Sequence, residues 1–439
     1  MPFTIKFFML ALALVMYALV IFAQNKKIVF TSIAALIVIV VALVSPKTIF
    51  PNVNTFSLSH IFFELVNWNV LMIYIGSMAI ASLFIYSKMP EAIADRIVEL
   101  SPSTGIAIVF ILAMTGIISI FVENVATVLV MAPIALALSK NVKLNPTFFM
   151  IGLAVISNLE GTATLVGDPP SMIFASFAGY TFNDFFVHAG KISIFFFIQI
   201  GMIVGCLYFY AFFAKQKEKA DLEATKIISA VPFTLLLLMI AGLAALSFLH
   251  IKFRFASGLF VLVLGVIAVL WFRFSQKKTA REIFQLIKGL DWETIIFLVG
   301  IFIVLGALSE TGLLTDFAGF LAHATRGNKL AGFILIIVVS VFISGFVDNV
   351  PYIIVMLPVA KSLAVGLSLA PELYMFALLI GSCLGGNLTP FGASANIVAM
   401  GIVRKEGLSM NFAKWLQIAV PFTFITTAAA SVALYLVWR

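Results

Sequence analysis

The chain has 439 residues, of which 63% are hydrophobic and 10% are charged, and its mean hydropathy is +1.17. A soluble globular chain is roughly 45–50% apolar and about 25% charged. The composition therefore excludes a soluble fold, a coiled coil, a collagen and a disulfide scaffold. The formal net charge of +8 is explained by the Lys and Arg that crowd the cytoplasmic loops of membrane proteins, so the lipid bilayer is the expected partner and nucleic acid is not.

Eight stretches are apolar enough to cross the hydrocarbon core, which takes about 20 residues. They lie at 7–24, 28–45, 70–87, 190–213, 233–250, 255–272, 293–310 and 415–437. Four further apolar stretches are interrupted by polar residues, Gly or Pro, which lipid tolerates only where the backbone lines a cavity or packs against protein. We interpret 105–140 and 329–365 as re-entrant hairpins, and 147–180 and 372–402 as discontinuous spanning helices.

The distribution of basic residues predicts the orientation. With ten crossings, eighteen of the 27 Lys and Arg residues fall on one side and nine on the other. Because loops rich in Lys and Arg stay in the cytoplasm, we predict a multi-pass protein of the plasma (inner) membrane with both termini outside the cytoplasm.

The two halves of the chain resemble each other in sequence. The segment 118–125 (ISIFVENV) reappears 225 positions later at 343–350 as ISGFVDNV, with six of eight residues identical. Each half would cross the membrane five times, so the second half would be inverted relative to the first, as in many secondary transporters. We predict an all-α polytopic membrane protein built from two inverted-topology repeats, with about ten transmembrane helices, two re-entrant hairpins and two discontinuous helices. The first repeat is 1–213, a cytoplasmic linker is 214–231, and the second repeat is 232–439.

Four acidic residues lie at the breaks, namely Glu123, Glu160, Asp168 and Asp348, and the sequence places no Lys, Arg or His beside them. An acid inside the membrane is unfavourable by roughly 2.5–3.5 kcal/mol on insertion scales. Each could cap a half-helix, and Asp168 before two prolines suits that role. Four unpaired acids, two of them related by the repeat, instead indicate a cation or proton site.

Amides and hydroxyls near the breaks complete the predicted substrate- or ion-binding set. They are Asn124, Thr127, Asn158, Thr162, Thr164, Asn349, Asn387, Thr389, Ser394 and Asn396. Hard cations such as Na⁺ prefer oxygen ligands, and the predicted Na⁺ positions are Glu123, Asn124, Asp168, Asp348 and Asn349. The backbone breaks are assigned to Gly161, Gly167, Pro169, Gly386 and Gly392. Apart from Na⁺ or H⁺ as the coupling ion, we predict no cofactor.

Five motifs carry a resemblance to a known family. They are FVENVATVLVMAPI (121–134), NLEGTATLVGDPPSMI (158–173), DWETIIFLVG (291–300), FVDNVPYIIVMLPV (346–359) and GGNLTPFGASANIV (385–398). They resemble the ion transporter superfamily, in the arsenite-permease and P-permease branch that is often labelled citrate-transporter-like. The resemblance implies paired hairpins, elevator-like alternating access and homodimers, and it adds Ser171 to the candidate ligands. The chain departs from the branch at Glu123, Glu160 and Ser171, where Asp, Gly and Asn are usual.

The predicted function is secondary active transport, with proton- or Na⁺-coupled exchange or efflux of a small ion or oxyacid, such as an arsenite-like acid or Na⁺. The alternative is a Na⁺-coupled symporter of di- or tricarboxylates such as citrate, which the lack of Arg at the breaks disfavours.

Other classes of function are less well supported by the sequence. An intramembrane aspartyl protease using Asp168 and Asp348 is the remote alternative, but the repeat pairs Asp348 with Glu123, so we predict no enzyme. A passive channel would have polar residues along continuous helices, whereas here they concentrate at four breaks. No nucleotide-binding P-loop motif occurs, which leaves a separate ATPase subunit as an open partner.

Overall fold

The computed structural model describes residues 3–23, 26–44, 60–220, 224–249, 253–310, 328–408 and 412–439. In the first half the helices are α1 (Phe3–Phe22), α2 (Lys27–Val44), α3 (Trp68–Tyr86), α4 (Met89–Leu100), α5 (Thr104–Ser119), α6 (Asn124–Asn141), α7 (Thr147–Gly161), α8 (Pro169–Ala178) and α9 (Ile194–Phe213). In the second half they are α10 (Val231–Leu249), α11 (Ala256–Phe274), α12 (Ala280–Lys288), α13 (Trp292–Glu310), α14 (Lys329–Ser344), α15 (Asn349–Gly366), α16 (Pro371–Gly385), α17 (Ser394–Lys405) and α18 (Phe412–Trp438). The shorter elements are a π-helical turn (Ile61–Leu65), two 3-10 turns (Asn183–Phe185 and Gly386–Leu388) and an antiparallel pair, β1 (Val187–His188) and β2 (Lys191–Ile192).

Eight helices in the described part of the chain are long and apolar enough to cross a membrane. They are α2, α3, α6, α9, α10, α11, α15 and α18, and α12 with α13 would make a ninth span across a bend of 44°. Helices α1, α5, α7 and α14 are shorter apolar helices. The prediction of an all-α polytopic membrane protein is confirmed, whereas the number of ten crossings and the re-entrant path of the hairpins stay predictions.

The helices break where the polar residues, Gly and Pro interrupt the apolar stretches. The predicted hairpin 105–140 consists of α5 and α6, and the predicted hairpin 329–365 consists of α14 and α15. The segment 147–180 divides into α7 and α8, and the segment 372–402 divides into α16 and α17. Proline explains the restart of α8, because Pro169 and Pro170 occupy its first turn, where a missing N–H is harmless.

Equivalent hydrogen bonds tie each hairpin to the broken helix that follows it. The Ser119 hydroxyl donates to the carbonyl oxygen of Ser157 at 2.9 Å. In the second half, the Ser344 hydroxyl donates to the carbonyl oxygen of Ser382. The two donors are 225 positions apart in sequence, and so are the two acceptors. The sequence repeat is therefore matched by a repeat of local contacts.

The two halves are interlocked rather than side by side. Helix α3 of the first half packs against α10 and α11 of the second, while α13 of the second half packs against α1 and α2 of the first. Glycine permits both crossings: a Cβ on Gly265 would lie 2.9 Å from the Cα of Gly76, and a Cβ on Gly300 would lie 3.2 Å from the backbone of Thr31. Small residues at helix crossings are the usual means of close packing in membranes.

The described part of the linker lies against the first half. The backbone N–H groups of Thr104 and Gly105, at the start of α5, donate to the carbonyl oxygens of Glu218 (2.8 Å) and Gln216 (3.0 Å). The linker and the start of the first hairpin are therefore on the same side of the molecule.

Candidate functional site

A cavity of about 380 Å³ lies where α3, α13, both hairpin tips and both broken helices meet. Five carboxylates line it, those of Glu123, Asp168, Asp291, Glu293 and Asp348, together with the ammonium group of Lys27. Five negative charges and one positive charge give these walls a formal charge of −4. Asn124, Asn158, Pro169, Asn349 and Ser394 also line the cavity, so it contains most of the residues that the sequence places at the breaks.

Two of the predicted acids cap helices. The Oε2 atom of Glu123 accepts a hydrogen bond from the backbone N–H of Ala126 at 3.0 Å, at the start of α6. The Oδ1 atom of Asp348 accepts one from the N–H of Val350 at 3.0 Å, at the start of α15. Both side chains therefore satisfy a free N–H of the second hairpin arm while they also face the cavity.

Asp168 does not act as a cap. It precedes α8, but its side chain makes no capping hydrogen bond. Pro169 and Pro170 have no N–H to donate, and the N–H of Ser171 donates to the backbone carbonyl oxygen of Asp168 at 3.0 Å. Instead its Oδ2 atom accepts a hydrogen bond from Nδ2 of Asn124 at 3.1 Å. Asp168 lines the cavity although it is only 6% exposed, and its carboxylate depends on a single amide of the first hairpin tip.

A chain of asparagine amides joins the two breaks. Nδ2 of Asn124 also donates to Oδ1 of Asn158 at 3.3 Å. Nδ2 of Asn158 then donates to Oδ1 of Asn387 at 2.8 Å and to Oδ1 of Asn396 at 2.9 Å. All four side chains are buried. The network connects Asp168 in the first half to the break between α16 and α17 in the second.

Five predicted hydroxyl ligands lie outside the cavity. The hydroxyls of Thr127, Thr162, Thr164, Ser171 and Thr389 are fully buried or nearly so and donate to backbone carbonyl oxygens. A carbonyl next to a helix break lacks its usual helical partner, so these hydroxyls stabilise the breaks in this structure, and their role as ligands stays a prediction. The structure thus separates the predicted polar set into cavity residues and supports.

The glycines of the two breaks are required by close backbone contacts. A Cβ on Gly167 would lie 2.6 Å from the carbonyl oxygen of Gly161, and a Cβ on Gly392 would lie 2.6 Å from that of Gly386. No real Cβ approaches an oxygen so closely, so any side chain at these positions would move the loop that carries Asp168 or its counterpart.

The expectation that no base lies at the breaks is wrong for Asp348. Nζ of Lys27 lies 3.5 Å from Oδ2 of Asp348, and 5.2 Å from the ring centroid of Phe297. The sequence assigns Lys27 to a loop at the membrane border, because the Lys26–Lys27 pair precedes an apolar stretch. In the structure Lys27 begins α2, and its side chain reaches the cavity.

Glu160 lies away from the cavity, although it is close in sequence to the residues that line it. Asn158 and Glu160 are two residues apart on α7, and therefore about 200° apart around the helix axis. Since Asn158 faces the cavity, Glu160 faces the opposite side, where it contacts Gln199 of α9 at 2.7 Å.

Sequence reasoning missed Tyr74, Asp291 and Glu293. The Tyr74 hydroxyl donates to Oδ2 of Asp291 at 3.2 Å, and Oδ1 of Asp291 accepts from the N–H of Thr294 at the start of α13. The repeat contained a signal, because Asn67–Trp68 and Asp291–Trp292 match at a spacing of 224. Among the described residues, no three His, Cys, Asp or Glu side chains cluster closely enough to hold one metal ion.

Comparison with known proteins agrees with this architecture. A family model described as citrate transporter matches residues 17–381 and 256–439. An uncharacterized transporter of Mycobacterium tuberculosis is 31% identical over 383 residues, which is 84% of this chain and 86% of the relative. The P protein of Sus scrofa is 24% identical over 447 residues, which is 83% of this chain and 52% of that protein.

Two solved structures share the fold. The YdaH transporter of Alcanivorax borkumensis superimposes with a TM-score of 0.61 at 14% identity and covers 86% of each chain. MtrF of Neisseria gonorrhoeae, described as illuminating a class of antimetabolite efflux pumps, gives a TM-score of 0.56 at 15% identity, over 91% of this chain and 84% of MtrF. Such low identities show the fold alone. The relatives and the family model support a secondary transporter rather than an enzyme, and the chain belongs to the citrate transporter family.

Proposed function

We propose that the protein is a cation-coupled secondary transporter that exchanges or exports a small ion or a neutral oxyacid by alternating access, with H⁺ or Na⁺ as the coupling ion. The observation that carries this proposal is the cavity with five carboxylates and one ammonium group. A cavity with low-dielectric walls of one sign concentrates ions of the other sign. Such walls attract cations, admit a neutral acid such as arsenous acid, and repel a polyvalent anion.

Asp168 is the residue best suited to bind the coupling ion. In Glu123 and in Asp348, one carboxylate oxygen accepts the hydrogen bond of a helix cap, and Asp348 also faces Lys27. Asp168 caps nothing and has a single amide donor, Asn124. Its carboxylate can therefore exchange that partner for a proton or a Na⁺ ion without unwinding a helix.

Alternating access is supported by the repeated contacts at the two breaks. The serine hydrogen bonds and the glycine contacts recur at a spacing of 225 positions, as expected if two inverted repeats place equivalent breaks on either side of one site. Three predictions belong to the same proposal: both termini lie outside the cytoplasm, the protein is in the inner membrane, and it forms a homodimer.

A Na⁺-coupled di- or tricarboxylate symporter is the second candidate. Lys27 favours it, since an ammonium group in the cavity offers an anion one direct partner. The description of the matching family model favours it as well. With one base against five acids, however, a citrate-like anion would need bound cations to offset the repulsion.

Everted vesicles with an imposed pH gradient distinguish the candidates. Na⁺, Li⁺, arsenite and citrate are added in turn, and proton movement is followed with a fluorescent probe. We expect a response to a cation or to arsenite, and no response to citrate alone. Na⁺-dependent uptake of labelled citrate, without a proton response to Na⁺ or arsenite alone, would establish the symporter instead.

The variant Asp168→Asn tests the role of the carboxylate. It should abolish coupled proton movement but leave the amount of protein in the membrane unchanged. Asp95→Asn is the matched control, because Asp95 lies on α4 outside the cavity and accepts a hydrogen bond from the N–H of Thr225. Full coupling in Asp168→Asn would contradict the assignment.

A further inference from the structure

A second buried carboxyl lies on the far side of α7 from the cavity. Glu160 has no exposed surface. Its Oε2 atom accepts a hydrogen bond from Nε2 of Gln199 at 2.7 Å, and its Oε1 atom has no hydrogen-bond partner. Buried polar atoms in folded proteins are nearly always paired, so an unpaired oxygen on a fully buried acid calls for an explanation.

The second half of the chain provides an internal comparison for this position. At a spacing of 225, Glu160 corresponds to Gly385, and Gln199 corresponds to Phe424. A Cβ on Gly385 would lie 2.6 Å from the carbonyl oxygen of Val341, so α14 and α16 leave no room there for any side chain. The repeat therefore builds the same helix crossing without an acid or an amide.

In the first half, the large and the small side chain at this helix crossing lie on the opposite helices. The residue that corresponds to Val341 is Gly116, and a Cβ on Gly116 would lie 2.8 Å from Cγ of Glu160. Large and small residues have thus changed places, which makes space on α5 for the Glu160 side chain. Acid, amide and glycine together form a polar site that only the first half contains.

The surroundings of Glu160 favour a bound proton over a negative charge. No Lys, Arg or His among the described residues forms an ion pair with it, and α5 has no titratable side chain. On α9, the titratable Cys206 follows Gln199 by seven residues and so lies on the same face of the helix. Glu160 also lies in the last turn of α7, where the carbonyl end of the helix disfavours an anion.

We propose that Glu160, oriented by Gln199, is a second proton-binding site of the transporter, separate from the acidic cavity. Glu160 directly precedes Gly161, which packs against the side chain of Asn124, and Asn124 is the partner of Asp168. The bound proton keeps the end of α7 neutral and so preserves the contact between Asn124 and Asp168. Loss of this proton at alkaline pH introduces a charge next to the break and stops transport.

The proton itself is measurable without knowledge of the substrate. Infrared difference spectra of the reconstituted protein, recorded as the pH is raised, should show loss of one carbonyl band of a protonated carboxyl that shifts in ²H₂O. The band should be absent in Glu160→Gln and present in Asp168→Asn. A set of carbonyl bands in Glu160→Gln that is unchanged from wild type would overturn the proposal, whatever the protein transports.

The transport readout distinguishes a pH-sensing site from a purely structural one. This transport measurement rests on the proposed function, and it uses whichever ion gives proton movement in wild-type vesicles. Wild type should lose activity at alkaline pH in a step that Glu160→Gln lacks, and both should transport at neutral pH. Gln199→Phe, which introduces the residue of the second half, should move that step. An unchanged pH profile in both variants would refute the site, as would loss of the step in Asp95→Asn.

Discussion

Replacement of Lys27 tests the sign of the transported charge. In Lys27→Gln the formal charge of the cavity walls changes from −4 to −5, because Lys27 is the base that lines the cavity. Taken as a sphere, a cavity of about 380 Å³ has a radius of about 4.5 Å, which places Nζ roughly 7 Å from an ion at its centre. At that separation two unit charges interact by about 0.6 kcal/mol at a dielectric constant near 80, and by about 2.4 kcal/mol at an effective value near 20.

These energies correspond to roughly a 3-fold to 50-fold change in affinity, at about 1.4 kcal/mol for each factor of ten. Lys27→Gln should therefore lower the cation concentration that gives half-maximal proton movement in everted vesicles, and it should raise the half-maximal concentration of any anionic substrate. Lys26→Gln is the control, because it removes the same charge from a neighbouring exposed residue that does not line the cavity. Equal shifts in the two variants, or weaker cation binding in Lys27→Gln, would refute the electrostatic reasoning.

Two further substitutions test the break and the loop before α9. Gly161→Ala places a Cβ against Oδ1 of Asn124. We therefore expect lost coupling and a decrease in stability of about 1–3 kcal/mol, measured by thermal unfolding of the detergent-solubilised protein. Gly401→Ala is the control and should behave as wild type, because Gly401 has open space around it. Burial favours the neutral form of Asp184, but hydrogen bonds from a neighbouring threonine and from His188 outweigh it, and the pKa of Asp184 lies below its ordinary value. A carboxyl with a lowered pKa in the folded state stabilises the fold at pH values above its ordinary pKa of about 3.9. This stabilisation is lost as the pH falls through the lowered pKa of the folded state. Asp184→Asn should thus lower the unfolding temperature at pH 7 and cease to differ from wild type in acid.

The positions of the breaks could be predicted from the sequence because they depend on local chemistry. Proline lacks an N–H and fixes the start of α8, and glycine allows the contact between Gly167 and the backbone of Gly161. An acid or amide inside an otherwise apolar stretch marks a helix end for the same reason, since lipid cannot satisfy the freed backbone. The repeat doubles each signal, so the sequence predicts four breaks.

The composition of the cavity could not be predicted in the same way. Lys27 and Asp291 lie at membrane borders, where charged residues are common, and only the packing of α2 and α13 brings them to the breaks. The position of Glu160 relative to the cavity could not be predicted either, although Glu160 follows the cavity residue Asn158 by only two positions. Proximity in sequence suggested a shared site, whereas helical geometry directs the two side chains to opposite faces. Sequence spacing identifies polar residues near a break but not the side of the helix that faces the ligand.

The asparagine network decides which parts of the molecule can move together. Asn158 of α7 donates to Asn387 and Asn396 of the second half, and these contacts are buried. Pulling the two breaks apart would leave buried amides unpaired, at about 1–3 kcal/mol for each group. The contact from α3 to the first broken helix, between Asn67 and Ser176, is only partly buried, so water can replace it. Alternating access is therefore expected to move both breaks as one body past α3 and α13, and the negative walls contributed by α13 would stay behind when the ion leaves.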